Sequence, residues 1–287
     1  MRIAIVGSSG YIAKHLMKSF MADIQGCEIV KIDMTDDADL KLQLTAPHEF
    51  DYDKLLGLDY VIFTAAISGP DMCANEFDKC WDINVTGTSY FIHEAIKRGI
   101  KVLFFSSDAA FGDISGHIYD EDSETRAYTA YGKMKKAIED EFKLSKLFKC
   151  IRLSYVVSEN DKFISYCLSC IRKGETADIF HPFYRNCITV SDVIKAIEWL
   201  MQNWKQFESF VLNLTGTELV SRIRMADEIN RYFGNRLQYT VSKPDENFFK
   251  NRPQVTQMKS KYLYDLNIIE NETFTEKFQK ELRKIEL

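Results

Sequence analysis

Nowhere in the 287 residues is there an uninterrupted apolar stretch long enough to cross a bilayer, which argues against a membrane-spanning helix. Positive charge is not in excess either, and a net charge of −5 offers no electrostatic invitation to nucleic acid or to an anionic lipid surface. Internal repeats, low-complexity tracts and long linkers are missing, so composition marks no sharp domain boundary. Seven cysteines, an odd number scattered along the chain, argue for reduced thiols rather than a disulfide framework. Cys167 and Cys170 form a Cys-x-x-Cys, but no second cysteine pair or clustered histidine completes a metal site. No metal is therefore expected, and these two thiols read as small buried groups on one helical face. The N-terminus is already of strand type rather than a secretory leader. The expectation is a soluble, cytoplasmic protein, with enough apolar residues (46%) for one large core and a smaller attached lobe, or for two modest domains.

What is present begins at the first residues. Arg2 to Val6 is a short apolar run of strand type, followed by Gly7, Gly10 and Ala13 at a spacing that allows a tight turn, close approach to a pyrophosphate and packing of a helix on its strand. Tyr11, Ile12, Leu16 and Phe20 then recur near helical spacing, which predicts a helix from Tyr11 to about Ile24 whose N-terminus would hold a phosphate. A second apolar run, Cys27 to Ile32, ends in Asp33, where a carboxylate can accept hydrogen bonds from a ribose 2′-hydroxyl. This pattern points to a bound dinucleotide, NAD(H) before NADP(H), because residues 34 to 40 offer no cation for a 2′-phosphate.

The chain continues in alternating units. Strands are expected at Asp59–Ala66, Lys101–Ser106, Cys150–Val157 and Phe210–Thr215, and helices at Asp78–Gly99, Ala130–Leu147 and Asp192–Trp204. Such alternation implies an α/β fold: a Rossmann-type doubly wound parallel sheet with right-handed crossovers and a smaller C-terminal α/β substrate lobe. The expected division is 1–155 with 188–214 for the dinucleotide-binding part, and 156–187 with 215–287 for the lobe.

Three side chains carry the chemistry. Tyr131 and Lys135 are four apart on a predicted helix and so share one face. A tyrosine with an ordinary pKa of about 10 needs help to shuttle a proton near neutrality, and a neighbouring ammonium stabilises its phenolate. Lys135 can also donate to a nicotinamide ribose. Ser107 lies at the C-terminal end of a strand, the edge at which open α/β sheets bind ligands, where its hydroxyl can polarise a reacting oxygen. Hydride addition to a carbonyl carbon, with Tyr131 protonating the oxygen, is the reaction this trio suits.

These segments, together with Thr64-Ala65-Ala66, Ile83-Asn84-Val85-Thr86-Gly87-Thr88, Ser106-Ser107-Asp108, the stretch Arg185–Val193 and the stretch from Arg252, resemble in order the extended short-chain dehydrogenase/reductases that act on nucleotide sugars. The resemblance covers nearly the whole chain. It implies that Ser107, Tyr131 and Lys135 are catalytic and that Asn84 supports the active-site helix. It further implies that Gly7, Gly10, Tyr11, Ile12, Asp33, Thr64, Ala65, Ala66, Tyr131 and Lys135 bind cofactor, and that Ser107, Asp108 and Arg185 bind substrate, Arg185 at its diphosphate. Ala109 stands where the 4,6-dehydratases carry a glutamate, Asp108 where the 3,5-epimerase/4-reductases carry a cysteine, and Tyr155 where 4-epimerases carry an asparagine. The chain looks most like the dTDP-4-dehydrorhamnose reductase branch, which implies an NAD(P)-dependent oxidoreductase reducing a nucleotide-linked 4-keto-6-deoxy sugar, in deoxysugar or surface polysaccharide biosynthesis. A 4-epimerase and a non-catalytic, cofactor-binding regulatory subunit are the alternatives. The long helices resemble those that form a homodimer interface in this superfamily. In the second half, Phe180, His181, Phe183 and Tyr184 precede Arg185; these aromatics either stack on a nucleotide base or pack an interface, and His181 is given no role. Arg172, Lys173, Lys277, Lys280, Arg283 and Lys284 read as solvated helix faces.

Overall fold

The computed structural model describes residues 1–112 and 116–285. In chain order the elements of the first half are β1 (Arg2–Val6), α1 (Tyr11–Asp23), β2 (Glu28–Asp33), β3 (Leu40–Lys41), β4 (Tyr60–Phe63), α2 (Pro70–Asn75), α3 (Phe77–Trp81), α4 (Thr88–Lys97), β5 (Lys101–Ser107), β6 (Ile118–Tyr119) and α5 (Ala130–Phe142). The second half adds β7 (Phe148–Leu153), β8 (Tyr155–Val157), α6 (Lys162–Lys173), β9 (Ala177–Phe180), β10 (Tyr184–Thr189), α7 (Val190–Gln202), β11 (Val211–Leu214), β12 (Leu219–Ser221), α8 (Arg222–Tyr232), β13 (Tyr239–Ser242), α9 (Glu246–Lys250), β14 (Val255–Met258) and α10 (Phe274–Leu282).

The chain divides into two compact units. The first holds Met1–Gly112, Glu124–Arg152 and Trp204–Leu212; the second takes in the described residues of 113–123, 153–203 and 213–287. This division assigns 188–203 to the second unit, where the sequence reading placed those residues in the first.

The first unit is built on a seven-stranded sheet in the order β11-β7-β5-β4-β1-β2-β3. β1 pairs in parallel with β2 and β4, β2 with β3, and β4 with β5. Strands buried on both faces read as unbroken apolar runs, which is why β1, β4 and β5 were visible in the sequence. Ala4, Val6, Val61, Phe63, Val102 and Phe104 form one core with Phe91, Ile92 and Ala95 of α4 and Met134, Ile138 and Phe142 of α5. The alternating residues Ile3, Ile5, Ile62 and Leu103 face the other way and are equally buried. α1 lies beside β2 and buries Ala13, Leu16 and Phe20. The fold is the Rossmann-type doubly wound α/β sheet expected from the alternation of elements.

Two expected elements differ in detail. The helix anticipated over Asp78–Gly99 is interrupted by a wide π turn at Asp82–Gly87. A Cβ on Gly87 would sit 1.9 Å from the carbonyl oxygen of Leu44, so the turn passes the 42–45 segment at a distance that only glycine permits. The strand anticipated over Cys150–Val157 breaks at Ser154, and β8 pairs with β10 within the second unit.

The second unit contains a five-stranded sheet, β12-β10-β14-β6 with β8 also on β10, and a β13-β9 pair. Its core is formed by Ile164, Cys167, Leu168 and Ile171 of α6, Met225, Ala226 and Ile229 of α8, and Phe274, Phe278 and Leu282 of α10. Cys167 and Cys170 are buried free thiols, as the sequence suggested. Lys277, by contrast, is not on a solvated face: it is buried and its ammonium donates to Asp192 at 2.8 Å. Among the described residues there is no helix long and apolar enough to cross a membrane and no cluster of three or more metal-ligating side chains.

Candidate active site

The glycine turn sits between β1 and α1. Gly7 donates to Ile32 O at 2.9 Å and Gly10 donates to Gly7 O at 3.0 Å, closing the turn. Gly7 has φ +83°, and a Cβ there would lie 2.7 Å from Cα of Ala65. Glycine is therefore required at position 7 for conformation and for space together. Thr64 bolts the neighbouring strand to this turn, its hydroxyl donating to Val6 O at 2.8 Å and Gly7 O at 3.2 Å. No side chain caps α1 and its first turn holds no acidic residue, a setting in which a helix N-terminus suits an anion.

Asp33 ends β2. Its carboxylate accepts from the backbone N–H of Ser9 at 2.8 Å and of Met34 at 2.7 Å, an arrangement that pins it beside the glycine turn. A cleft of about 240 Å³ opens here, lined among others by Gly7, Asp33, Leu44, Ala65, Ala66 and Ile67. Gly10, Tyr11 and Ile12 form the turn and the helix start and lie outside the lining; the Tyr11 ring meets His15 edge-on at 5.5 Å. Residues 42–45, Ile67 and Ile83 also line the cleft and were not anticipated. The sequence signal for residues 42–45 is the short alternation Leu40-Lys41-Leu42-Gln43-Leu44, and Ile83 opens the Ile83–Thr88 motif.

At the end of β5, Ser107 caps a short turn over Asp108–Ala110. Its Oγ accepts from the N–H of Ala109 at 3.2 Å and donates to Asp108 Oδ1 at 3.0 Å. The α5 helix packs directly on this turn: a Cβ on Gly132 would lie 2.0 Å from the carbonyl oxygen of Ala109. Thr129 caps α5, accepting from the N–H of Gly132 at 3.2 Å. Tyr131 and Lys135 share a face of α5 as their spacing implied, with the ammonium 5.6 Å from the Tyr131 ring centroid and 4.5 Å from that of Phe104. Lys135 donates to Phe105 O at 2.7 Å, which ties α5 to the strand that carries Ser107. Asn84, on the π turn, accepts from Ile67 N–H and donates to Ile67 O, both at 2.8 Å, and its amide also donates to Met134 Sδ at 3.5 Å. That bridge links the loop after β4 to the helix bearing Tyr131.

One expectation is corrected. Lys135 was expected to bring Tyr131 toward its phenolate, but burial, reinforced by Cys73 and Asp108, pushes the phenol upward from its ordinary value. Burial also lowers Lys135 to about 8, opposed by Cys150, Glu139 and Cys73. Desolvation is the largest cause of both shifts, and the Tyr131 phenol stays protonated across the neutral range.

In the second unit, Arg185 does not present a free fork. It donates to Tyr184 O at 2.6 Å, Pro253 O at 2.6 Å and Gln254 O at 3.3 Å, and lies 4.5 Å over the Phe183 ring. Arg222, which the sequence reading missed, packs 4.3 Å over Phe163 and 4.6 Å over Tyr155 and donates to Tyr155 Oη at 3.1 Å. Tyr155 in turn donates to Asp161 at 2.6 Å. A cleft of about 390 Å³ is lined by Phe163, Tyr166, Phe180, Phe183, Arg222 and Phe248 among others. Phe180 and Phe183 are thus cleft residues, whereas His181 meets Tyr184 edge-on at 5.6 Å.

Residues 1–286 match the family model described as the RmlD substrate binding domain. The chain belongs to that family. Among curated proteins this RmlD-family chain is similar to the spore coat polysaccharide biosynthesis protein SpsK of Bacillus subtilis (strain 168), with 28% identity over 158 residues, 54% of this chain and 53% of that protein. The chain spans about half the length of the curated relatives it matches. Among solved structures it is similar to the dTDP-4-dehydrorhamnose reductase of Bacillus anthracis in complex with NADP, at 18% identity and a TM-score of 0.83 with 99% of this chain and 98% of that one covered. MoeE5 in complex with UDP-glucose and NAD shares 20% identity at a TM-score of 0.81, with the same coverage of both chains. These structural likenesses establish the fold.

Proposed function

We propose that this RmlD-family chain is an NAD(P)H-dependent oxidoreductase that reduces the 4-keto group of a nucleotide-linked 4-keto-6-deoxy sugar. The observation that supports the reading is the packing of Gly132 on Ala109, which sets the helix of Tyr131 and Lys135 against the turn that follows Ser107, with the phenol raised by burial and Lys135 beside it. A protonated phenol is what ketone reduction requires, because the donor must arrive at the transition state carrying its hydrogen.

The residues present fit a dinucleotide. The uncapped start of α1 suits a pyrophosphate, Gly7 leaves the space a side chain would fill, and Asp33 lies on the cleft that would take the adenosine half. Lys31 and Lys41, the cations nearest in sequence, are paired with Asp37 at 3.7 Å and Asp36 at 2.8 Å, which favours NAD(H) over a cofactor with a 2′-phosphate. The reduced nicotinamide, when bound, supplies the hydride. Tyr131 gives its proton to the carbonyl oxygen, Ser107 turns its hydroxyl toward the same oxygen, and the Lys135 cation stabilises the phenolate left behind. In the second unit, the cleft with Phe163, Phe180, Phe183 and Arg222 suits a nucleotide: aromatic faces for the base and a guanidinium for phosphate. Arg185, anchored on three carbonyl groups, braces the 253–254 segment in this scheme.

The support from relatives is the company the chain keeps: a polysaccharide biosynthesis protein and sugar nucleotide enzymes. The test is to incubate the protein with NADH or NADPH and dTDP-, GDP- or CDP-linked 4-keto-6-deoxyhexoses and follow absorbance of the reduced cofactor. Stoichiometric oxidation with one of them supports the reading. Sugar nucleotide binding without oxidation by any would replace it with the non-catalytic alternative, and inversion at C4 of a 4-hydroxy sugar nucleotide without net cofactor use would replace it with 4-epimerisation.

A further inference from the structure

Behind the catalytic corner lies a buried ion pair that the reaction scheme does not use. Glu139, one turn beyond Lys135 on α5, and Arg152 on β7 have side chains only 3% and 4% exposed, and Arg152 donates to the carboxylate through Nη2 at 2.7 Å and Nε at 3.1 Å. The hydroxyl of Ser106 donates to the same carboxylate. Two successive residues of β5 are therefore held by α5 immediately before Ser107, Phe105 through its carbonyl to Lys135 and Ser106 through its hydroxyl to Glu139.

We infer that Glu139 is a positioning residue for the catalytic corner: held by Arg152, it locks the register of α5 on β5 and supplies the negative charge that faces Lys135. The groups around the Lys135 ammonium are Cys73 from α2, Cys150 from β7, Tyr131 and Glu139 from α5 and the Phe105 carbonyl from β5, with Arg152 on the far side of Glu139. Burial holds Cys73 up at about 12 and Cys150 well above its usual value, so both thiols are neutral near pH 7. The carboxylate paired with Arg152 is then the anion acting on Lys135. A buried ion pair is weak evidence for stability in itself, and a role in setting local geometry and charge explains its placement better.

The inference rests on the reading of Lys135 as a site residue, and its test separates the two. Carbon-13 lysine-labelled protein without added cofactor is titrated by NMR, the Lys135 resonance being the one missing from Lys135→Arg. Glu139→Gln is expected to lower the Lys135 pKa by about one unit, and in turnover to move the alkaline limb of the pH–rate profile down with it. Because Glu139→Gln leaves Arg152 buried without its carboxylate, Glu139→Gln/Arg152→Gln serves as the second variant, folded with the charges removed but amide hydrogen bonding retained. Lowered Lys135 titration in the double variant supports the inference. An unmoved Lys135 titration in either folded variant overturns it, whether or not turnover falls. If the unsubstituted protein never oxidises NADH, the functional reading fails while the titration still decides this inference.

Discussion

Replacing Gly132 by alanine sets two known effects against each other. In a helix interior alanine is favoured over glycine by roughly 0.5–1 kcal/mol, and Gly132 sits in the first turns of α5 with an ordinary helical conformation. Yet the added Cβ would lie 2.0 Å from Ala109 O and 2.9 Å from its carbonyl carbon, where real Cβ atoms essentially never come within 3.0 Å. The turn over Asp108–Ala110 must therefore retreat by about 1 Å, and overpacking of this kind costs roughly 1–3 kcal/mol. The clash wins, leaving a net loss of about 1 kcal/mol or somewhat more and a Tm lower by roughly 2–4 °C per kcal/mol. The effect on chemistry is larger, because Ala109 N–H is bonded to Ser107 Oγ and a 1 Å misplacement of a reacting group costs about 100-fold in rate. Thermal melts and steady-state kinetics on Gly132→Ala, with exposed Lys133→Ala as the helix-propensity control, should show a modest Tm loss, a kcat lower by about two orders of magnitude and little change in cofactor affinity. A variant that melts at or above the unsubstituted protein and turns over fully would show that the turn yields freely and that the packing argument is wrong.

Other consequences can be checked separately. Asp33→Ser should weaken NADH binding by roughly 10–100-fold, the worth of a charge-assisted hydrogen bond, and narrow the preference over NADPH; equal affinities for both cofactors before the substitution would refute the role given to Asp33. Asn84→Ala removes the bridge from Ile67 to the helix of Tyr131 and leaves Ile67's backbone groups without those partners, at a cost of about 1–3 kcal/mol measured by urea unfolding; an unchanged midpoint would contradict it. Lys135, lowered to about 8 by burial, penalises the folded state while charged. As pH rises from about 8 toward the unfolded-chain value of about 10.4, the unfolded chain retains a proton that the folded chain has shed, so this residue's contribution to stability rises by about 1.4 kcal/mol per unit. Because Lys149 is also lowered to about 8 by burial, the informative quantity is the difference between the parent and Lys135→Met curves, and parallel curves across that window would rule the effect out.

How much of this was legible in the sequence depended on whether the cause was local. β1, the Gly7 turn and α1 could be read because a strand buried on both faces is an apolar run and a positive-φ close approach demands glycine at one position. Tyr131 and Lys135 could be placed on one face because helical spacing alone decides it. The π turn could not, since it lies against Leu44 O through Gly87, a contact between distant segments. Nor could the break at Ser154, because Tyr155-Val156-Val157 looks like a continuation of β7 until β10 is available to pair with it. Lys277 looked like an amphipathic helix's solvent face and is instead buried by its pairing with Asp192, 85 positions away. Arg185 and Arg222 show the same limit: a guanidinium's type is written in the chain, but carbonyl partners at Pro253 and an aromatic cage of Phe163 and Tyr155 are products of the fold. The phenol of Tyr131 was expected to be acidified by its neighbour, and only the degree of burial reversed the sign.

The most direct measurement of the central claim is a single-turnover experiment on Tyr131→Phe, with NADH pre-bound and the 4-keto sugar nucleotide that the parent protein reduces. The substitution keeps the ring and its packing and removes only the hydroxyl. If Tyr131 supplies the proton, NADH affinity stays close to that of the parent while hydride transfer slows by about 10²–10⁴-fold, the usual contribution of a positioned general acid. Hydride transfer at more than half the parent rate, with cofactor bound equally well, would mean that the proton comes from another group and that the account of this site is wrong.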